Sequence, residues 1–268
     1  MISNRVLIVF SALALLCCTP LLAQDKSASD RLAAAHAQYY TPTAIGLKSF
    51  RCEAAMDWKA MLTRLSGTEI PDDNPVLKYL QTVHLSVADE LRGQGLLDWT
   101  SSAVPPEGKE QAFKQMREGL QTTIAGFFQS WNEYMNGGMV PLPDQTVTVT
   151  HSGDGFHLSG ISKDTKFDED FDKNMLLLHV LVVSPSLKVL AAPTYASTPD
   201  GLLVSAVTSR VNQPPTAPDV ETSFRVEYAK VESFQLPSRV VIDVKNIGTF
   251  DFAFSTCQAS IADWAKRP

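Results

Sequence analysis

The stretch EGKEQAFKQMREGLQTTIAGFFQSWNEYM, residues 107–135, decides how this chain folds, because it is the clearest helical segment in the sequence. Its large apolar side chains recur every three or four residues, which places them on one stripe of an α-helix. The stripe comprises Phe113, Met116, Leu120, Ile124, Phe127, Phe128, Trp131, Tyr134 and Met135. Such a stripe predicts that the helix packs against a large apolar surface.

The residues before this helix predict a short helix and three strands. Ser29 is expected to begin a helix whose apolar face carries Leu32, Ala35, His36 and Tyr39. From Gly46 the pattern alternates, which indicates a half-buried strand with Phe50, Cys52, Ala54, Met56 and Trp58 on one side. Residues 63–75 are expected to be a loop. Residues 77–88 fit a strand or a helix, and we interpret them as a strand, followed by another at 96–100.

The residues after the long helix predict only strands and turns. The segment Ser152-Gly153-Asp154-Gly155 is typical of a hairpin turn between strands at 146–151 and 156–162. Further strands are expected at 165–172, 176–184, 187–192 and 202–211. Three more follow at the end of the chain: the first carries Phe224, Val226 and Tyr228, the second Val240, Ile242 and Val244, and the third Phe250, Phe252 and Phe254. Short strands joined by tight turns indicate antiparallel pairing.

These elements together predict an α+β fold. We expect a large curved antiparallel sheet, or incomplete barrel, with the long amphipathic helix and the short N-terminal helix covering its apolar face.

The first 23 residues have the pattern of a cleavable secretory signal. A basic start containing Arg5 precedes an apolar run from Val6 to Cys18, and Ala23 ends the segment. A membrane anchor and a lipoprotein are the alternatives, but the apolar run is short for a bilayer and Pro20 interrupts it. We therefore expect a periplasmic or secreted protein in which residues 24–268 form a single domain.

Only two cysteines, Cys52 and Cys257, lie beyond the predicted signal. In an oxidising compartment they can form one intramolecular disulfide, and the alternative is two unrelated buried thiols. Cys257 has the opposite parity to Phe250, Phe252 and Phe254, so a disulfide on the inner side of the sheet requires a β-bulge or a strand end near Ser255.

Charge and motifs argue against several function classes. The chain has 23 basic and 29 acidic residues, a net charge of −6, and no basic cluster, which disfavours nucleic acid as a partner. We find no nucleophile elbow, no phosphate-binding loop and no zinc-protease motif, so no catalytic residue and no cofactor are expected. His151 and His157 are interpreted as a chance pair rather than a metal site. Asp168, Asp170 and Asp172 are expected on the solvent side of a strand whose other side bears Phe167 and Phe171.

The late part of the chain resembles the lipoprotein-carrier superfamily, which includes LolA-like carriers and RseB-type sensor domains. The resemblance lies in TKFDEDFD at 165–172, Thr198-Pro199-Asp200-Gly201 before a strand, and VEYAKVESFQLPSRV at 226–240. Members of that family fold as an unclosed barrel with a helical lid that holds acyl chains. The resemblance implies that the stripe from Phe113 to Tyr134 is the lid.

Two hypotheses follow for the function. The first is an exported, non-enzymatic carrier or sensor that binds an acyl chain, a lipid-modified protein or another apolar ligand between the sheet and the helix. Its ligand-binding residues would be Phe113, Met116, Leu120, Ile124, Phe127, Phe128 and Trp131. The second is a structural or protein-interaction domain in which the same stripe is ordinary core and no ligand is bound.

Overall fold

The computed structural model describes residues 30–91, 95–136, 147–162, 164–212 and 219–261. The predicted signal, residues 1–23, lies outside these ranges. The described residues form one antiparallel sheet of twelve strands in the order β3-β2-β1-β12-β11-β10-β9-β8-β7-β6-β5-β4. The sheet is curved and does not close into a barrel, so the predicted α+β class is confirmed.

The strands alternate with tight turns along most of the chain. Their bounds are β1 Ser49–Met56, β2 Val83–Asp89, β3 Leu96–Ser101, β4 Thr148–Ser152, β5 Gly155–Ser162, β6 Thr165–Phe171, β7 Leu177–Val183, β8 Lys188–Thr198, β9 Gly201–Asn212, β10 Val220–Val231, β11 Phe234–Val244 and β12 Gly248–Ser260. The β4–β5 hairpin turns at residues 153–154, as predicted, and Gly153 has a positive φ of 57°.

In the described part of the chain, four helices accompany the sheet: α1 at residues 30–38, α2 Trp58–Ser66, α3 Pro75–Leu80 and α4 Glu110–Met135. Helix α2 corrects two predictions, since Trp58 does not continue β1 and the segment from residue 63 is not all loop. The Asp57 side chain accepts a hydrogen bond from the Ala60 N–H and caps the helix, and Gly67 ends it in the left-handed conformation.

Helix α3 corrects the interpretation of residues 77–88 as one strand. Asn74 accepts hydrogen bonds from the Val76 and Leu77 N–H groups, and Pro75 occupies the first turn, where its missing N–H is not needed. The helix ends at Leu80 and β2 begins at Val83. The segment therefore contains both of the elements that its pattern allowed.

The first strand, β1, pairs with the last strand, β12. This pair lies at the centre of the half of the sheet that runs from β3 to β10. Between the pairs Glu53–Ser255 and Arg51–Gln258, two residues of β12 lie opposite the single residue Cys52 of β1, which is a β-bulge. Thr256 has a φ of +51° at this point. The bulge reverses the parity of the following residues, as the sequence required.

This reversal brings Cys257 to the same side as Cys52, and the two form a disulfide across a sequence separation of 205 residues. The predicted disulfide is therefore confirmed. Cys52 is fully buried and joins the core.

Helix α4 connects the two edge strands, β3 and β4, and so runs across one face of the sheet. We call this side the inner face. Phe128 contacts Phe50 of β1 and Phe254 of β12, and Phe127 contacts Phe224 of β10. One continuous set of buried apolar residues connects α1, α2, α3, α4 and the sheet.

Candidate functional site

The stripe of α4 packs on Tyr79 of α3 at Phe113 and on the sheet at Phe127, Phe128 and Trp131. Of the seven residues predicted to bind a ligand, Met116 is half-buried and the other six are buried: Phe113, Leu120, Ile124, Phe127, Phe128 and Trp131. Phe128 lies edge-on to Phe50 and Trp131, with ring centroids 5.7 and 6.3 Å away. At this level the interface is filled by the protein's own aromatic rings.

Close approach at the same place leaves little space around Phe128. A Cβ atom added to Gly95 would lie 2.2 Å from Phe128 Cδ2 and 2.6 Å from Phe128 Cβ. Glycine is thus required where the chain enters β3, because any larger residue would displace the aromatic ring or the helix backbone.

A buried hydrogen-bond relay fixes the second half of α4 on the sheet. The Trp131 Nε1–H donates to the Tyr228 hydroxyl at 2.9 Å, and that hydroxyl donates to the Val204 carbonyl at 2.7 Å. Both polar groups are satisfied, and burial raises the pKa of Tyr228 above its usual range. This end of the helix is therefore held by directional bonds as well as by packing.

A second polar contact joins α4 to the end of β2. The Asn132 Nδ2–H donates to Asp89 Oδ1 at 3.0 Å, and the Asn136 Nδ2–H donates to the Leu91 carbonyl at 3.0 Å. Asp89 is 1 % exposed, and burial raises its pKa to about 7. Asp89 Oδ2 has no hydrogen-bond partner among the described residues.

Beyond the area that α4 fills, the inner face carries a row of apolar residues that are only half-buried. Phe167, Val182, Val189 and Val211 lie directly opposite one another on β6, β7, β8 and β9. We call these four residues the apolar row. A matching row one step toward the core contains Val180 and Ala191, which are buried.

The Phe167 end of the apolar row is shaped by Gly160. The tip of the Phe167 ring lies over Gly160, the residue opposite it on β5: a Cβ atom added to Gly160 would be 2.2 Å from Phe167 Cζ. A concavity of about 490 Å³ at this end is lined partly by Gly160 and Phe167 but mostly by outer-face residues, among them Ser159, Lys166 and Asp168, so it does not define a pocket of the inner face. Apolar surface that is neither fully covered nor fully exposed is typical of a ligand-binding face.

One charged residue is buried in the inner face. Glu169 lies between Phe167 and Phe171 on β6, opposite Leu158 of β5 and Val180 of β7. It is 3 % exposed, and its Oε2 has no hydrogen-bond partner among the described residues. Burial raises the pKa of Glu169 to about 8. Its burial was not among the predictions made from the sequence.

The neighbouring aspartates lie on the opposite, outer face, as predicted. Asp170 Oδ1 is 2.9 Å from His157 Nδ1, and Asp168 Oδ1 is 3.4 Å from His157 Nε2. His151 lies opposite Phe156, so it shares the face of the aromatic residues and does not meet His157. No group of three or more His, Cys, Asp or Glu residues that could hold a metal ion occurs in the described ranges.

The outer face also carries a groove of about 520 Å³ across β7 to β11. Its charges are paired with one another: Glu221 binds Arg210 at 3.4 Å and Lys245 at 2.9 Å. These exposed pairs give the groove no strong excess of either sign. Among the described residues that line it, none is a buried charged side chain, unlike Glu169 of the inner face.

Within the described residues, no helix is both long and apolar enough to span a bilayer. Comparisons of this chain with protein-family models, curated proteins and solved structures gave no match. The function must therefore be argued from the inner face itself.

Proposed function

We propose that this protein is an exported, non-enzymatic carrier or sensor that binds an acyl chain or another apolar ligand on the inner face of its sheet. The observation that carries the proposal is the apolar row, Phe167, Val182, Val189 and Val211, which stays half-buried beside a closed core. Residues 1–23 would direct export, and the Cys52–Cys257 disulfide is compatible with an oxidising compartment.

In this proposal α4 bounds the ligand site and does not itself cover the ligand. Its aromatic stripe packs against β1, β10 and β12 and forms a wall, so the ligand lies along the apolar row rather than under the middle of the helix. The stripe residues Phe113 to Trp131 would contact the ligand only if α4 moves away from the sheet. The dense packing around Phe128 makes such movement costly in free energy.

The direct test is a titration of the mature chain with a fluorescent, uncharged fatty-acyl ester, with native mass spectrometry as a second measurement. Val189→Asp places a charge in the apolar row and should weaken binding at least tenfold, since a buried unpaired charge is strongly unfavourable. Leu190→Asp is the matched control, because Leu190 is the next residue on β8 and is 46 % exposed on the outer face.

Retained binding in Leu190→Asp together with loss in Val189→Asp, both folded by circular dichroism, would support the proposal. If the unmodified protein binds no apolar probe by either measurement, the proposal fails.

A second candidate is a protein-interaction domain with a self-filled core. The contacts of Phe128 with Phe50 and Phe254 favour it, since they leave that part of the interface closed. Phe127→Ala tests whether the α4 stripe itself contacts ligand: a core position loses about 3–5 kcal/mol of stability. A position that contacts ligand instead changes affinity more than stability.

A further inference from the structure

Glu169 is placed where a ligand on the apolar row would end. Phe167 is two residues away on the same strand and the same face, a separation of about 7 Å. From Phe167 the row crosses to Val211 over three strand spacings, roughly 14 Å. The row is thus long enough for an extended hydrocarbon chain and lies beside one buried carboxyl group.

The groups around Glu169 do not neutralise it. Tyr134 of α4, Tyr195 of β8 and Tyr39, just after α1, face it. All three are uncharged at neutral pH, since tyrosine ordinarily ionises near pH 10 and burial raises the pKa of each further. The Tyr39 hydroxyl already accepts a hydrogen bond from the Leu177 N–H at 2.9 Å. The carboxyl group is therefore surrounded by apolar side chains and uncharged tyrosine hydroxyl groups.

The charged groups in this region are engaged elsewhere. Arg31 of α1 lies 4.3 Å from the ring centroid of Phe156, on the strand next to β6. His151 of β4 packs against the same ring, at a centroid distance of 4.9 Å. Asp172, at the end of β6, accepts hydrogen bonds from the Asn174 and Leu176 N–H groups. Burial is therefore the dominant influence on the ionisation of Glu169.

A carboxyl group in this setting is mostly protonated at neutral pH, because its pKa of about 8 exceeds the pH. A protonated carboxyl group is a hydrogen-bond donor as well as an acceptor. A buried donor or acceptor without a partner is unfavourable by about 1–3 kcal/mol, so a ligand that supplies the partner gains affinity.

We propose that Glu169 is a specificity-determining residue that donates a hydrogen bond to the carbonyl oxygen of a neutral acyl ester or acyl amide whose hydrocarbon chain lies on the apolar row. This inference rests on the proposed function and names its ligand class. A free fatty-acid anion is disfavoured, because it would bring a second carboxylate into a site that already disfavours charge. A plain alkane fills the row but leaves Glu169 unpartnered.

The test compares dodecanoylglycerol, an ester, with dodecanoate and dodecane as competitors of a fluorescent acyl probe on the mature chain. The unmodified protein should bind the ester about tenfold more tightly than either competitor, which corresponds to one hydrogen bond to a buried group. Binding of the ester should weaken as the pH rises from 7 to 9, since Glu169 ionises in that interval.

Two variants separate recognition from folding. Glu169→Gln keeps an N–H donor and cannot ionise, so it should retain the ester preference and lose its pH dependence. Glu169→Leu removes the donor at similar size, so it should bind ester and alkane equally. Thermal unfolding of both variants establishes that they are folded.

The outcomes are distinct. If no dodecyl probe binds, the proposed function itself is wrong. If the probes bind but the ester has no advantage, or Glu169→Leu keeps that advantage, the apolar site stands and the role of Glu169 is refuted.

Discussion

Removal of the Cys52–Cys257 disulfide should have a large effect on the stability of this protein. The bond closes a loop across a sequence separation of 205 residues. For a loop of that length, the restriction of the unfolded chain corresponds to about 5 kcal/mol. Total folding free energies of domains are about 5–15 kcal/mol, so Cys52→Ala/Cys257→Ala should lose a third or more of the stability.

Equilibrium urea unfolding of the oxidised protein and of the double variant measures this loss. The slope of free energy against urea should also increase in the variant, because its unfolded chain is more expanded and exposes more surface. The chemically reduced wild-type protein is the control for the two substitutions, and it should match the variant. A loss below about 2 kcal/mol with an unchanged slope would refute the reasoning from loop length.

Three further predictions concern the core, a buried acid and the N-terminus. Phe128→Ala should destabilise the protein by about 3–5 kcal/mol. Val104→Ala, at a side chain that is 85 % exposed, is the control and should change stability by less than about 0.5 kcal/mol. Equal effects of the two substitutions in urea unfolding would contradict the packing described around α4. Asp89 binds its proton more tightly in the folded protein than in the unfolded chain, so the wild-type protein should lose stability as the pH rises from about 4 to about 7. Asp89→Asn should lose less stability over that interval, and unfolding midpoints of the two proteins that run in parallel would contradict this prediction. N-terminal sequencing of the exported protein should begin at Gln24, and an intact Met1 would contradict cleavage of the signal.

The fold class could be predicted because the periodicity of the chain is strong where packing is strong. The spacing of the α4 stripe and the alternation of the last three strands both reflect one buried face, and both are confirmed. The requirement for a bulge near Ser255 could also be derived, since side-chain parity in a strand follows directly from the residue number. The position of Thr256 in that bulge could not.

The errors occurred where a local cap competes with alternation. Asp57 caps α2, although the alternation of the sequence continues through Trp58. Asn74-Pro75 starts a helix within an apolar pattern that also suits a strand. Both capping signals are present in the sequence and were outweighed. The strand predicted at 187–192 also continues past Pro193 to Thr198, in a part of β8 that pairs with β9 and not with β7.

The site was only partly predictable. The stripe of α4 was identified, but the apolar row depends on which half of each strand the helix leaves open, and that is a property of tertiary packing. Glu169 had a usable signal, since strict alternation from Phe167 to Phe171 assigns it to the phenylalanine side. Because Glu169 lies between two aspartates, the whole segment has the composition of a solvent-exposed strand, and its burial was not predicted.

The pairing of β1 with β12 has a consequence for how the protein folds. Because β1 and β12 are the first and last strands of the chain, the hydrogen bonds between them cannot form until almost the entire chain is available. Such a high contact order predicts slow folding, in milliseconds to seconds or longer. The hairpins from β4 to β11 need only neighbouring residues, so they can assemble early and serve as the template on which the N-terminal strands dock last.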